Sequence, residues 1–483
     1  MAHPRGGFAF ASVHSKSKSP CPLFQRGEQP SSDGERRRLR NSARHRYAAP
    51  QTLQRGKAAR TCCCTLGARR VGSRAFPSFG GHVRIAALAL ALALLPLAAQ
   101  ADQPLSAGQR FAQDATIVDT HIDAPSLLLR HWADLGVDTP KVEFDYPRAR
   151  QGGLDVAFMS IYTSPGEDKA GEATQIAHTQ IDAVEAMIGR RPEQFALLRS
   201  PKDFDRLHAH GQRVLLALGM ENGAPIGDDL SRLKLFHERG VRYITLAHSE
   251  DNRISDSSYS RKHTWKGLSP FGEKVVDEMN RLGIMVDVSH LSDDATRDVL
   301  ARSKAPVIAS HSGLRHFTPG FERNISDELA KAVAAKGGVI QIVFGNAFVD
   351  PASAAVTQAY FVASAQFEQE QAAARARGET PKSSEAFDKE WEAAHPPLPV
   401  KIDAVLNQID YGIKLVGADH IGIGSDFDGV GGALPDGLKS VADYPNLIEG
   451  MKARGHSEET IRKVLGGNLL RVWSAVEAKA SQQ

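Results

Sequence analysis

Seven residues of this chain are of types and spacings that could do chemistry. His121 and Asp123 are separated by one residue, and Glu221 closes the apolar run VLLALGM at 214–220. His248, His290 and His311 each end a further apolar run, and Asp426 opens the sequence Asp-Phe-Asp-Gly at 426–429. Imidazoles and carboxylates without a thiolate are donors that zinc takes, and manganese and iron accept the same set. A carboxylate such as Glu221 can bridge two metals roughly 3.5–4 Å apart, which lowers the pKa of a bound water to about 7. Each residue alone has a plainer reading. His-x-Asp also describes a packed histidine beside a turn aspartate, and Glu221 and Asp426 also suit a helix cap or an Asx turn. Three successive runs ending in histidine favour a shared pocket, because barrel sites collect residues from the ends of several strands.

The elements that must position these residues are eight candidate strands, at 116–121, 155–162, 214–221, 242–248, 284–290, 306–311, 338–344 and 420–427. Amphipathic stretches of helical length lie between most of them, at 172–189, 228–239, 270–282, 292–303, 325–336 and 402–416, and a helix at 457–475 closes the chain. Near-continuous apolar strands separated by helices predict a parallel sheet covered on both faces. Eight such units predict an α/β fold of the (β/α)8 TIM-like barrel type, with a doubly wound open sheet as the competing arrangement. Residues 350–400, rich in Ala, Gln and Glu, break the rhythm after the seventh candidate strand. They predict a helical insertion with a flexible middle on the catalytic face: a lid, a dimer contact or a solvated decoration.

Composition narrows the function classes. The 483 residues are 42% hydrophobic and 24% charged, enough for a large core. Residues 1–101 hold 17 Lys+Arg and 3 Asp+Glu, so the remaining chain holds 42 basic and 53 acidic residues of the 59 and 56 in total. An acidic body argues against a nucleic-acid partner. All four cysteines, Cys21, Cys62, Cys63 and Cys64, lie in the basic head, so the body has no disulfide, thiolate ligand or cysteine nucleophile. No G-x-S-x-G occurs, and GVGG at 429–432 lacks the G-K-[ST] of a phosphate loop.

The head reads as no domain. Residues 1–82, rich in Arg, Ser, Pro and Gly, are expected to form no packed core. Arg84, a short apolar run and Ala99-Gln100-Ala101 then read as a signal peptide over 83–101, leaving a single body at 102–483. No Met lies between Met1 and Met159, so translation is expected to start at a non-AUG codon near Val83. The C-terminus, VEAKASQQ, lacks the apolar tail of a lipid-anchor signal. The expectation is a secreted or periplasmic protein with no stable membrane anchor.

DTHIDAP, LALGMENG, YITLAHS, LSPFGEKVVDEMNRLGIMVDVSH, APVIASHSG, RNISDE and GIGSDFDGV, in this order, resemble the membrane (renal) dipeptidase family of zinc peptidases over residues 112–475. The resemblance implies a barrel of the metal-dependent hydrolase type, a homodimer, two zinc ions per subunit and small peptide substrates, here in a secreted bacterial member. It implies one zinc on His121, Asp123 and Glu221, and a second on Glu221, His290 and His311. It assigns His248 to the scissile carbonyl and the tetrahedral intermediate, Arg323 to the substrate's C-terminal carboxylate, and Asp426 to proton transfer between the attacking water and the leaving amine. Hydrolysis by a metal-bridging hydroxide follows from that assignment. The chain departs from the family in lacking the mammalian cysteines and lipid-anchor tail, and in having Gln408 where relatives often place His. The alternatives are an amidohydrolase acting on N-acyl amino acids or β-lactams, and a non-catalytic periplasmic peptide-binding protein. Loss of Asp426 or of a ligand would favour the last.

Overall fold

The computed structural model describes residues 104–208 and 212–482. The basic head, the apolar run at 83–101 and its cleavage motif lie outside the described residues. Nine strands are present among those described: β1 (Ile117–Ile122), β2 (Leu154–Tyr162), β3 (Phe195–Leu197), β4 (Val214–Glu221), β5 (Val241–Thr245), β6 (Met285–Asp287), β7 (Ile308–Ser312), β8 (Val339–Ile342) and β9 (Ile421–Ile423). All pairings between them are parallel. The path β1-β2-β4-β5-β6-β7-β8-β9 follows chain order. Its two edges meet where Ile122 bridges Phe427, with the Asp123 N–H donating to the Phe427 carbonyl at 2.8 Å and the Asp426 N–H to the His121 carbonyl at 3.0 Å. Eight strands therefore form a nearly closed barrel, and the open doubly wound sheet is set aside. The short β3 is additional to the eight expected strands. It pairs with Val214–Leu216, on the edge of β4 that β5 takes over from Leu218.

Side-chain alternation divides the core in two. Val156, Phe158, Leu215, Ala217, Met285, Ile308 and Val339 form one cluster with Trp473, whose ring lies 5.3 Å from that of Phe158. Their strand neighbours Ala157, Leu216, Ile244 and Ile340 belong to the larger cluster packed with the helices. Those helices include α1 (Ala173–Arg190), α2 (Ser231–Arg239), α3 (Pro270–Leu282), α4 (Asp293–Arg302) and α5 (Asp327–Ala335). Serines start three of them: Ser269, Ser292 and Ser326 accept hydrogen bonds from the Gly272, Ala295 and Leu329 N–H groups, which would otherwise lack partners.

After β8 the insertion forms a helical hairpin of α6 (Pro351–Ala376) and α7 (Ser384–Ala394), before α8 (Asp403–Val416) and the final α9 (Asn468–Ala480) resume the barrel. Phe367 stacks on Phe387 at 4.6 Å, and the Tyr360 hydroxyl donates to Asp388 at 2.8 Å. Residues 377–383, the expected flexible middle, are the hairpin's connection. Among the described residues, no helix is long and apolar enough to cross a membrane.

Candidate metal centre

Glu221 is the last residue of β4 and the centre of the site. It is buried, with Oε1 3.2 Å from His290 Nε2 and 3.4 Å from both His248 Nε2 and His311 Nε2. Oε2 lies 3.4 Å from His121 Nε2 and accepts the Ser160 hydroxyl at 3.2 Å. One carboxylate thus faces four imidazoles, three on one oxygen and one on the other.

The strands deliver these histidines in different ways. His121 and His311 sit where β1 and β7 lose regular register, between Asp119 and Ile122 and between Ala309 and Ser312. Such irregularities re-aim side chains. His248 and His290 each lie three residues beyond the shorter strands β5 and β6, so the expected strand ends at 248 and 290 are loop positions. His290 has φ +67°, and Asp426, in the loop after β9, has φ +66°. Left-handed backbone at a non-glycine residue is costly and concentrates at functional sites. Asp123 is the N-cap residue of the helix Ala124–Arg130 but makes no capping bond. Its carboxylate instead lies 3.4 Å from His121 Nε2.

Hydrogen bonds set the imidazole tautomers. Tyr243, fully buried in β5, donates its hydroxyl to the Thr120 carbonyl at 2.9 Å and lies 2.7 Å from His121 Nδ1. With its own proton used, the phenol accepts from Nδ1–H, leaving the lone pair of His121 on Nε2. This reach depends on Gly219 in β4, where a Cβ would stand 2.0 Å from the Tyr243 ring. Ser310 plays the same part for His311: its hydroxyl is 2.6 Å from Asp287 Oδ2 and 2.7 Å from His311 Nδ1.

The donor set fits a divalent metal. His121 Nε2 is buried, has no hydrogen-bond partner, and faces two carboxylates. Burial opposes charge on His121, but Tyr243, Glu221 and Asp123 outweigh it and raise its pKa well above the ordinary value, so the site calls for a positive charge there. Burial also opposes ionisation of Glu221, yet His121 and His248 hold its carboxyl well below the usual range. Burial, with Arg323 and His121 respectively, pushes His290 and His311 well down, keeping both rings neutral as ligation requires. Three sets of donor atoms lie within 4.8 Å of one another: His121, Glu221 and His311; Glu221, His248 and His290; and His121, Asp123 and Asp426. Glu221 belongs to two sets. All seven expected chemical residues therefore converge, with His248 grouped among possible donors as well as at the cavity wall.

Asp426 is buried beside Asp123. A Cβ on Gly429 would be 2.3 Å from an oxygen of each. Burial and the Asp123 charge raise its pKa well above the carboxylate range, so it can carry a proton. Arg323 is placed one layer back. It is 2% exposed, donates to the His311 carbonyl at 2.8 Å and the Ser312 hydroxyl at 3.2 Å, and lies 2.9 Å from His290 Nε2. Among the described residues no carboxylate pairs with it. Gln408 bridges the Leu314 N–H, at 2.7 Å, and the Phe348 carbonyl, at 3.1 Å, which makes it a strut.

Over these residues lies a cavity of about 720 Å³. Its lining includes Glu221, His248, His290 and Asp426 below, and Tyr360, Phe361 and Trp391 of the hairpin above. Tyr162, 4.8 Å from the His248 ring, also lines it. Sequence reasoning does not single out Tyr162, Tyr243, Ser310 or the hairpin rings. The only signal for Ser310 is a hydroxyl inside an otherwise apolar run, and Tyr243, in a run that also holds Arg242 and Thr245, carries none.

The chain matches the family model described as Membrane dipeptidase (Peptidase family M19) over residues 106–483. It is 30% identical over 374 residues to Dipeptidase 3 of Rattus norvegicus and 31% identical over 374 residues to that of Mus musculus, covering 76% of this chain in each case. The match spans just under two thirds of those relatives' own length, 66% and 65%. The probable dipeptidase PvdM from Pseudomonas aeruginosa superposes with a TM-score of 0.63 at 28% identity, over 77% of this chain and 98% of that one. A metallo peptidase from Rhodobacter sphaeroides, solved with a phosphinate mimic of the dipeptide L-Ala-D-Ala, superposes with a TM-score of 0.61 at 25% identity, over 75% and 99%. Sequence, barrel and donor set agree, and the chain belongs to the membrane dipeptidase family, peptidase family M19.

Proposed function

We propose that this protein is a metal-dependent dipeptidase, with two zinc ions held by His121, Asp123, Glu221, His290 and His311, and Glu221 shared between them. The observation that carries the proposal is the Glu221 carboxylate, which faces four imidazole nitrogens at 3.2–3.4 Å while the buried Nε2 of His121 lacks any partner. Bound there, zinc would acidify a water to about pKa 7 and polarise the scissile carbonyl.

The chain's own residues supply the rest. Asp426, whose carboxyl can hold a proton, takes one from the attacking water and passes it to the leaving amine nitrogen. His248 lines the cavity, and burial keeps its pKa low, so it acts as a neutral N–H donor to the developing oxyanion. Arg323 is a buried guanidinium without a carboxylate partner among the described residues, a costly state that a substrate carboxylate would relieve. To reach it, Arg323 turns from His290 Nε2 past Phe348, whose ring lies 5.0 Å from the guanidinium carbon. A fork that pairs with a carboxylate explains selection for a free C-terminus. The L-Ala-D-Ala mimic on the Rhodobacter sphaeroides relative supports a dipeptide of that kind. We further propose export through residues 83–101 and assembly as a homodimer, which N-terminal sequencing of exported protein and light scattering test.

The test is hydrolysis of a dipeptide panel, including L-Xaa-D-Xaa members and C-terminally amidated controls, by residues 102–483. Cleavage that is lost on amidation supports the reading. No cleavage by zinc-loaded protein refutes it and moves the weight to N-acyl or lactam substrates.

A further inference from the structure

The far wall of the cavity is made by the insertion. Tyr360 and Phe361 of α6 and Trp391 of α7 line it with aromatic rings. The wall is tied to the floor, since the Phe361 ring lies 4.3 Å from that of Tyr259, which lies 6.0 Å from the His290 ring. Tyr360 lies 5.8 Å from Trp391, so two of the rings form one continuous surface.

Two carboxylates end this aromatic surface. Asp388 and Glu392, one helical turn apart on α7, both line the cavity. Asp388 accepts only the Tyr360 hydroxyl, and neither pairs with a cation among the described residues. Like charges four residues apart on a helix repel by a few tenths of a kcal/mol unless a cation lies between them. Among the cavity's lining residues Arg130 is the only Lys or Arg. Aromatic faces followed by carboxylates are the chemistry that receives an alkyl stem bearing an ammonium or guanidinium group.

Resting on the dipeptidase reading, we propose that the hairpin wall is a side-chain subsite that selects dipeptides carrying a long basic residue. The alkyl stem lies along Tyr360, Phe361 and Trp391, and the cationic end sits between Asp388 and Glu392. Exposed ion pairs and cation–π contacts together are worth about tenfold in selectivity.

The experiment compares matched dipeptides on the zinc-loaded full chain: Lys against norleucine, each paired with Ala at either position. Both kcat/KM and equilibrium binding by calorimetry are read, for wild type and for the double variant D388N/E392Q. We expect about a tenfold preference for Lys over norleucine at one position, falling to near unity in the double variant. Equal rates and equal affinities for Lys and norleucine in the wild type overturn the proposal, as does a preference that survives the double variant. Binding separates the two readings. A Lys preference in binding without turnover upholds the subsite and defeats the dipeptidase, whereas turnover without preference defeats only the subsite.

Discussion

The floor and the roof of the cavity are built on opposite principles. The floor comes from strand ends and the turns that follow them, is almost wholly buried, and orients two of its imidazoles with a second buried group, as Tyr243 holds His121 and Ser310 holds His311. The roof is a helical hairpin with half-exposed rings and few polar ties to the barrel. Preorganisation of charge belongs on a rigid scaffold, and variation in what is recognised belongs on elements whose change leaves that scaffold intact. On the proposed function, the floor carries the reaction and the grip on the free carboxylate, and the roof carries the choice of side chain.

The sharpest way to break that division is E221Q. Removing the charge shared by four imidazoles should empty both metal positions and reduce turnover to background, as metal analysis and dipeptide hydrolysis together will show. Two metals retained at full activity would end the bridging role. D426N keeps the shape of the floor and removes its proton carrier, so kcat should fall by about 10²–10⁴ with metal content unchanged. R323A should raise KM for free-carboxylate dipeptides about tenfold or more, the range of a hydrogen bond to a charged group. Y243F removes the hydroxyl that sets the His121 tautomer and should weaken metal affinity about tenfold, measured by competition with a chelator. On the roof, Y360F loses one half-exposed hydrogen bond to Asp388. Thermal unfolding of the loaded protein should show a stability change of about 1 kcal/mol or less, and the folded variant should keep its metal content.

The floor is more legible in the sequence than the roof, for a physical reason. Polar residues at the ends of apolar runs violate the burial pattern around them, so His121, Glu221 and His311 stand out in the chain itself. His248 and His290 stand out too, although they lie in loops, because their strands stop short without losing burial. The contact of Tyr243 with His121 is not legible there. It crosses the barrel from β5 to β1 and depends on the missing side chain of Gly219 on a third strand. Nor is β3, three residues that pair only because β5 leaves part of β4 uncovered. The hairpin's helices can be anticipated from composition. Which of their faces meets the cavity cannot, since that depends on Phe361 meeting Tyr259, about a hundred residues away in the chain.

The most direct test is a zinc titration of the chelated protein, with bound metal and hydrolysis of one free-carboxylate dipeptide followed together. Activity that is absent without metal and rises to a plateau at two equivalents per chain is the predicted result. Cleavage that persists after chelation, or two bound equivalents without cleavage of any dipeptide, would contradict it.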